Sequence, residues 1–320
     1  RAAMGSAGSG CSECIEREGS GSWGRAPKPE LGGPADEPVG LSLGIDVEGL
    51  VNAPRGPAAA TRSRAEEALA GGDGFAAPES RGFQQEGQGV LERPDGGRYE
   101  GQFMGGKVHG FGKLVYPNGD VYEGEWHENR AHGQGKFVHK DGSTYEGQWH
   151  HDLQQGLGTE LWADGSQYEG SFLRSQKHGE GKASWANGAR YEGEFCENEL
   201  HGTGRYRWPD GRTYAGEWRK NRIQGCGRMT WSDGQLYVGE FREDQKHGRG
   251  CFVWPDGRQY SGEWQHGKQH GSGLYMGRKQ GVRAGIWSDG KRVSFEGEER
   301  RPQPSDGFEM DMGAAGALAV

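Results

Sequence analysis

The chain has 320 residues, of which 62 are glycine and only 32% are hydrophobic. This composition excludes the large aliphatic core of a doubly wound or barrel enzyme, because the central strands of those folds are near-continuous runs of Val, Ile and Leu. No stretch reaches the roughly 18 apolar residues that a membrane-spanning helix needs, and a net charge of −8 argues against a constitutive nucleic-acid binder.

Residues 1–83 are rich in Gly, Ala, Ser, Pro and Glu and show no sustained apolar period. Because such a segment cannot offset the entropy of ordering, we expect a disordered leader. The stretch from Met4 to Ser9 reads MGSAGS and matches the M-G-x-x-x-[ST] pattern of N-myristoylation. If translation starts at Met4, we expect myristate on Gly5. Palmitate on Cys11 or Cys14 would supply the second acyl chain that stable anchoring needs. The alternative is a chance Met-Gly-Ser in a Gly/Ser-rich region.

Tyrosine recurs every 23 residues through the middle of the chain, and we number positions by offset, the number of residues after the tyrosine of the unit. Glycine stands at offsets 2, 11 and 13, and seven units have Asp-Gly or Asn-Gly ending at offset 20. The tyrosines and their offset-4 aromatic residues are Tyr99 and Phe103, Tyr122 and Trp126, Tyr145 and Trp149, Tyr168 and Phe172, Tyr191 and Phe195, Tyr214 and Trp218, Tyr237 and Phe241, and Tyr260 and Trp264. Eight units in one register, with partial units at both ends, define a repeat array over residues 84–297.

Each unit predicts a β-hairpin. In the run from Tyr122 to Trp126, alternation places Tyr, Gly and Trp on one face and two acids on the other. A polar loop with His-Gly-x-Gly follows, then a second strand and an Asp-Gly or Asn-Gly turn, where glycine tolerates positive φ. The glycines leave slots in which the rings of neighbouring strands pack. The predicted fold class is all-β, an elongated single-layer ribbon of stacked antiparallel β-hairpins, with a second disordered tail at residues 298–320.

The unit resembles the MORN repeat, most closely in the run from Tyr122 to Trp126 with His132 to Gly135 after it. The resemblance covers residues 84–297 and implies an elongated β-ribbon that acts as a scaffold and dimerises. MORN proteins are associated with membranes, cilia, the cell cortex and contact sites, and some are fused to phosphatidylinositol-phosphate kinases. Gln155 and Gln224 depart from the family by standing where its histidine is expected, and the last unit loses its Asp-Gly turn.

No residue pattern in the array points to catalysis, and we expect neither a cofactor nor a metal site. The histidines at offset 10 recur at about 10 Å, too far apart for one zinc ion. His139, His150 and His151 add local density in one unit, where weak surface metal binding is the alternative. The acids at offsets 1 and 3 predict a solvated ladder of opposite charges across neighbouring strands. The His-Gly-x-Gly segment has no following helix to present phosphate-binding amides. The five cysteines form no disulfide framework and fit a reducing compartment.

The leading hypothesis is a non-catalytic scaffold held at the cytoplasmic face of a membrane by the acylated leader. The expected partners are proteins, including a second copy of the chain, with anionic lipid as a further candidate and no nucleic acid. The array has 28 Lys and Arg residues against 29 Asp and Glu, so the repeats themselves gain little from anionic lipid. The alternatives are a structural component of a cilium or the cytoskeleton, of the radial-spoke type, and a regulatory partner of a phosphoinositide kinase.

Overall fold

The computed structural model describes residues 86–278 and 281–296. The predicted leader with Gly5, Cys11 and Cys14 and the predicted tail at 298–320 lie outside these residues. The described part contains nineteen strands and no helix. The strands are β1 Gly87–Glu92, β2 Arg98–Met104, β3 Lys107–Val115, β4 Val121–His127, β5 Arg130–Val138, β6 Thr144–His150, β7 Leu153–Leu161, β8 Gln167–Leu173, β9 Gln176–Ser184, β10 Arg190–Cys196, β11 Glu199–Arg207, β12 Thr213–Arg219, β13 Arg222–Thr230, β14 Leu236–Arg242, β15 Gln245–Val253, β16 Gln259–Gln265, β17 Lys268–Gly277, β18 Gly281–Ser288 and β19 Lys291–Phe295.

Every strand pairs antiparallel with the strand that follows it along the chain, so one meandering sheet runs from β1 to β19. At about 4.8 Å per strand, nineteen strands extend over roughly 85 Å in the hydrogen-bonding direction. The predicted all-β, single-layer ribbon is confirmed.

Two kinds of turn alternate along the ribbon. Within the second unit the chain reverses at Glu128 and Asn129, whose φ angles of 47° and 68° give a two-residue turn with both central residues left-handed. Between units it reverses around Gly119, which has a φ of 92° and donates its N–H to the carbonyl of Tyr116 at 2.9 Å. The Asn-Gly pair therefore forms the inter-unit turn that the sequence predicts.

The prediction of a polar loop at His-Gly-x-Gly was wrong. In the second unit this segment lies inside β5, where Gly124 is opposite Gly135 but Trp126 is opposite Ala131. Residues 132–134 therefore face Glu125 together, which makes the segment a β-bulge. The chain has already reversed at Glu128 and Asn129, so residues 132–134 are not needed for a loop. They form the bulge instead, in which Gly133 has a φ of 60°.

The inner face, defined as the face that carries offsets 0, 2 and 4, buries one aromatic layer. Each repeat tyrosine contacts the offset-4 ring of its own unit and that of the next unit edge to face, as Tyr122 does with Trp126 at 4.9 Å and with Trp149 at 5.2 Å between ring centroids. All eight repeat tyrosines are at most 1% exposed. The core is therefore a stripe of rings along one face of the sheet, and it replaces a central core.

A row of glycines runs from β1 to β18 beneath these rings. In neighbouring strands Gly112, Gly124, Gly135 and Gly147 stand opposite one another in turn. A Cβ at Gly135 would lie 2.6 Å from Cζ of Tyr122. Gly135 on β5 thus accommodates the ring of Tyr122 from the neighbouring strand β4, as the sequence predicts, whereas at Gly124 the same tyrosine belongs to the glycine's own strand.

Candidate functional site

The inner face is closed by the repeat tyrosines, whose hydroxyl groups bond within the repeats. The hydroxyl of Tyr122 donates to the carbonyl of Glu125 at 3.0 Å, next to the bulge, and the same bond recurs in all eight units. Burial raises the pKa of Tyr99 and Tyr260 to about 12, so these phenols stay protonated. Where offset 4 is tryptophan, as at Trp126, the indole Nε1 donates to the carbonyl of Gly112 at 3.0 Å.

All the predicted repeat-packing residues lie in this layer. They are Tyr99, Tyr122, Trp126, Tyr145, Trp149, Tyr168, Tyr191, Tyr214, Trp218, Tyr237, Tyr260 and Trp264, and each is at most 5% exposed. A partner cannot reach these rings without unpacking the sheet. The outer face is the face that carries offsets 1, 3 and 5.

The two acids of each unit have different roles on the outer face. At offset 1, Glu192 pairs with Lys182 of the preceding strand at 3.0 Å, which is the predicted ladder of opposite charges. At offset 3, Glu125 instead accepts a hydrogen bond from the backbone N–H of Gln134 at 3.0 Å. Assigning the offset-3 acids to the ladder was wrong, because the bulge leaves an amide unpaired and the nearest carboxylate accepts from it.

In five units asparagine or aspartate at offset 7 ties the turn to the unit before it, a contact that the sequence analysis does not predict. The Oδ1 atom of Asn129 accepts from the N–H of Val108 at 2.7 Å, and the N–H of Asn129 donates to the carbonyl of Val108 at 2.9 Å. Asp152 and Asp244 make the same pair of bonds. The recurrence of Asn, Asp or Ser at this offset was the available signal.

The outer ladder, defined as the offset-1 and offset-14 residues that neighbour one another across the sheet, changes character along the ribbon. It begins with alternating charges and ends without charge. In order, it runs Glu100, Lys113, Glu123, Lys136, Glu146, Thr159, Glu169, Lys182, Glu192, Arg205, Ala215, Arg228, Val238, Cys251, Ser261, Leu274 and Ala284. From Val238 onward the ladder cannot form ion pairs.

A groove of about 530 Å³ lies over this uncharged end, on strands β15 to β19. We call it the C-terminal groove. Its walls include Leu274 and Ile286, which are 50% and 52% exposed, and charged side chains stand at Arg249 and Glu263. Its full lining is Arg249, Gly250, Ser261, Gly262, Glu263, Ser272, Gly273, Leu274, Ala284, Gly285, Ile286, Ser294, Phe295 and Glu296.

Histidines of the second and third units meet on the outer face. Ligand atoms of His132, His150 and His151 all lie within 4.8 Å of one another. The sequence leaves open weak surface metal binding around His139, His150 and His151, and the structure brings His132 rather than His139 to the pair at offsets 5 and 6. His139 instead lies 3.6 Å from the carboxylate of Asp120.

Comparison with known proteins agrees with the repeat geometry. The MORN repeat model matches residues 84–98, 99–121, 122–144, 145–167, 168–190, 191–211, 214–236, 237–257 and 260–282. No curated protein matches the chain. Among the described residues there is no helix whose length and hydropathy would let it cross a bilayer.

Three solved structures resemble the sheet at low identity. The SAS-4 (dCPAP) TCP domain of Drosophila melanogaster, solved in complex with a proline-rich motif of Ana2 (dSTIL), is 11% identical with a TM-score of 0.32, covering 55% of this chain and 90% of its own. A point mutant of the TCP10 domain of CPAP from Danio rerio is 16% identical with a TM-score of 0.26, covering 64% and 97%. Virginiamycin B lyase from Staphylococcus aureus is 9% identical with a TM-score of 0.15, covering 65% and 86%.

Structural similarity at these TM-scores carries no argument about the function of the chain. The family assignment rests on the nine matched segments and on the tyrosine, glycine and aromatic positions that build one sheet. The chain belongs to the MORN-repeat family.

Proposed function

We propose that this MORN-repeat chain is a non-catalytic scaffold that holds a protein partner in the C-terminal groove. The observation that carries the proposal is the loss of charge along the outer ladder between Arg228 and Ala284, at the place where the groove lies. In the charged part of the ladder, lysines form ion pairs with glutamates of the neighbouring strand, as Lys136 does with Glu146 at 3.0 Å. The uncharged end keeps apolar surface in water, which is typical of an interaction site.

The shape of the groove suits an extended polypeptide segment. Its floor is the glycine row, which lets another backbone approach closely, and Leu274 and Ile286 offer apolar contacts. Arg249 and Glu263 provide charges of both signs at the same site. The expected occupant is therefore a strand-like segment of a protein partner with apolar side chains facing the glycine row.

Photo-crosslinking in cells tests the proposal. A crosslinking amino acid placed at Ser272, inside the groove, should capture a defined partner, whereas the same group at Gln134, the equivalent offset of the second unit, should not. Replacing Leu274 with glutamate should abolish the crosslink. The matched control is Leu157→Glu, since Leu157 is 66% exposed on the same face but outside the groove. Equal crosslinking from both positions, or a crosslink insensitive to Leu274→Glu, would contradict the assignment.

We also propose that the leader attaches this scaffold to a membrane by acylation of Gly5 and of Cys11 or Cys14. Support comes from the MGSAGS motif and from the balanced charge of the repeats, which gives them little attraction of their own for anionic lipid. Mass spectrometry of the N-terminal peptide of the protein isolated from cells should find myristate on Gly5. Gly5→Ala should move the protein from the membrane fraction to the supernatant. Unchanged fractionation with insolubility in detergent would favour the cytoskeletal alternative instead.

A further inference from the structure

Five histidines form a continuous group on the outer face, at the end of the ribbon opposite the C-terminal groove. Ring centroids are 5.1 Å apart for His109 and His127, 5.6 Å for His127 and His132, and 5.1 Å for His132 and His150. His151 lies 5.4 Å from His132 and 4.3 Å from His150. Elsewhere, His247 and His266 are a more distant pair at 6.5 Å.

The fold supplies three ligands from three backbone positions. His132 belongs to the bulge of β5, and His150 is the last residue of β6. Gly133 and Trp149 are opposite one another, which sets these two imidazoles side by side. His151 occupies the first left-handed position of the turn that follows, with a φ of 50°.

The spacing of the three histidines is close to what one metal ion requires. With metal–nitrogen distances of about 2.0–2.1 Å, tetrahedral ligand atoms lie roughly 3.3 Å apart. The three histidines are already within 4.8 Å of one another. His150 and His151 are exposed, so side-chain rotation closes the remaining distance without moving the sheet.

His132 also carries an unsatisfied polar atom. Its Nδ1 atom is buried and has no hydrogen-bond partner among the described residues. A buried nitrogen without a partner calls for an explanation, and an ion bound to the cluster is one.

We propose that His132, His150 and His151 bind one divalent transition-metal ion of the zinc class. Three imidazoles leave the fourth tetrahedral position to water or to a group of a partner. Imidazole ligands suit zinc, copper and nickel, whereas magnesium and calcium require oxygen ligands. A bound ion would join the second and third repeat units across the β5–β6 boundary.

Calorimetric titration of the untagged full chain with zinc chloride tests the site. Cys11 and Cys14 are changed to serine, since thiolates also bind zinc. One zinc ion should bind per chain. His132→Gln and the double variant His150→Gln/His151→Gln should each weaken zinc affinity at least tenfold. The chain itself shows that glutamine fits this fold, because Gln155 and Gln224 occupy the offset of His132 in other units.

The matched control is His201→Gln, which changes the same offset in the fifth unit and should alter zinc affinity less than twofold. Circular dichroism at the titration temperature verifies that each variant keeps its strands. An excess of magnesium should leave zinc binding unchanged. Zinc affinity that is insensitive to His132→Gln, or equally weakened by His201→Gln, would overturn the proposal.

Discussion

The phenol ring of Tyr122 lies directly over Gly135, so that a Cβ on this glycine would come within 2.6 Å of Cζ of the tyrosine. Gly124, which faces Gly135, is equally constrained, because a Cβ on Gly124 would meet the Cα of Gly135. Tyrosine and glycine are thus two halves of one packing unit, and the array repeats this unit along the sheet.

Gly135→Ala should therefore destabilise the array by about 2–3 kcal/mol, because the inserted methyl must displace a fully buried ring. Chemical denaturation measures the change in the unfolding midpoint. Gly142→Asn is the control, since nothing lies within 4 Å of a Cβ at Gly142 and asparagine tolerates its φ of 88°. Equal losses from both variants would contradict the packing role.

Tyr122→Phe should lower the free energy of unfolding by about 1–3 kcal/mol, because it leaves the carbonyl of Glu125 without the hydroxyl that donates to it. Tyr206→Phe is the matched comparison. The hydroxyl of Tyr206 is buried and has no partner among the described residues, so its loss should be neutral or slightly stabilising. Thermal or urea denaturation of the two variants should rank them in that order.

Lys246 is 7% exposed, and its ammonium group lies 4.3 Å from the ring centroid of Trp264 and 4.5 Å from that of Phe252. Burial lowers its pKa to about 7, although the ring faces oppose this shift by attracting the cation. Between pH 7 and about 10.5 the unfolded chain keeps a proton that the folded chain has released. The unfolding free energy should therefore rise with pH, by at most about 1.4 kcal/mol per pH unit.

The comparison of wild type with Lys246→Met across this pH range isolates the effect, because methionine removes the titration. A second test follows from comparing Lys246 with the lysine at the same offset of another unit. At the equivalent offset Lys177 pairs with Glu160 at 2.7 Å, whereas Met229 stands where that carboxylate would face Lys246. Met229→Glu should remove the pH slope by keeping the lysine charged. Parallel stability curves for wild type and Lys246→Met would refute the assignment.

Asp244→Asn should stabilise the protein at pH 7. Desolvation raises the pKa of Asp244, partly offset by the bond from the Ile223 N–H, so the folded state disfavours the ionised carboxylate. The asparagine Oδ1 can accept the same bond, as Asn129, Asn198 and Asn221 do. Because the penalty disappears once the carboxyl is protonated, the two stability curves should converge as the pH falls below about 4.

Much of the strand pattern follows from the sequence, because it depends on local alternation and on turn residues. The run from Tyr122 to Trp126 alternates, and Gly119 follows an asparagine, so strand and inter-unit turn are both predicted correctly. The turn at Glu128 and Asn129 escaped prediction because neither residue is glycine, although both have positive φ. Without a signal for that turn, the sequence predicts a loop at residues 132–134, where the structure has a bulge.

The sequence by itself determined the repeat, its β character and the aromatic stripe, since each depends on residue spacing within one unit. Tertiary structure decided which offsets of different units become neighbours. His132, His150 and His151 come together because the bulge shifts the register of β5 against β4 while β6 continues in register beside it. The C-terminal groove likewise depends on Leu274 and Ile286 sharing one face of neighbouring strands. Contacts of this kind are set by strand register across the sheet, which a period of 23 residues does not specify.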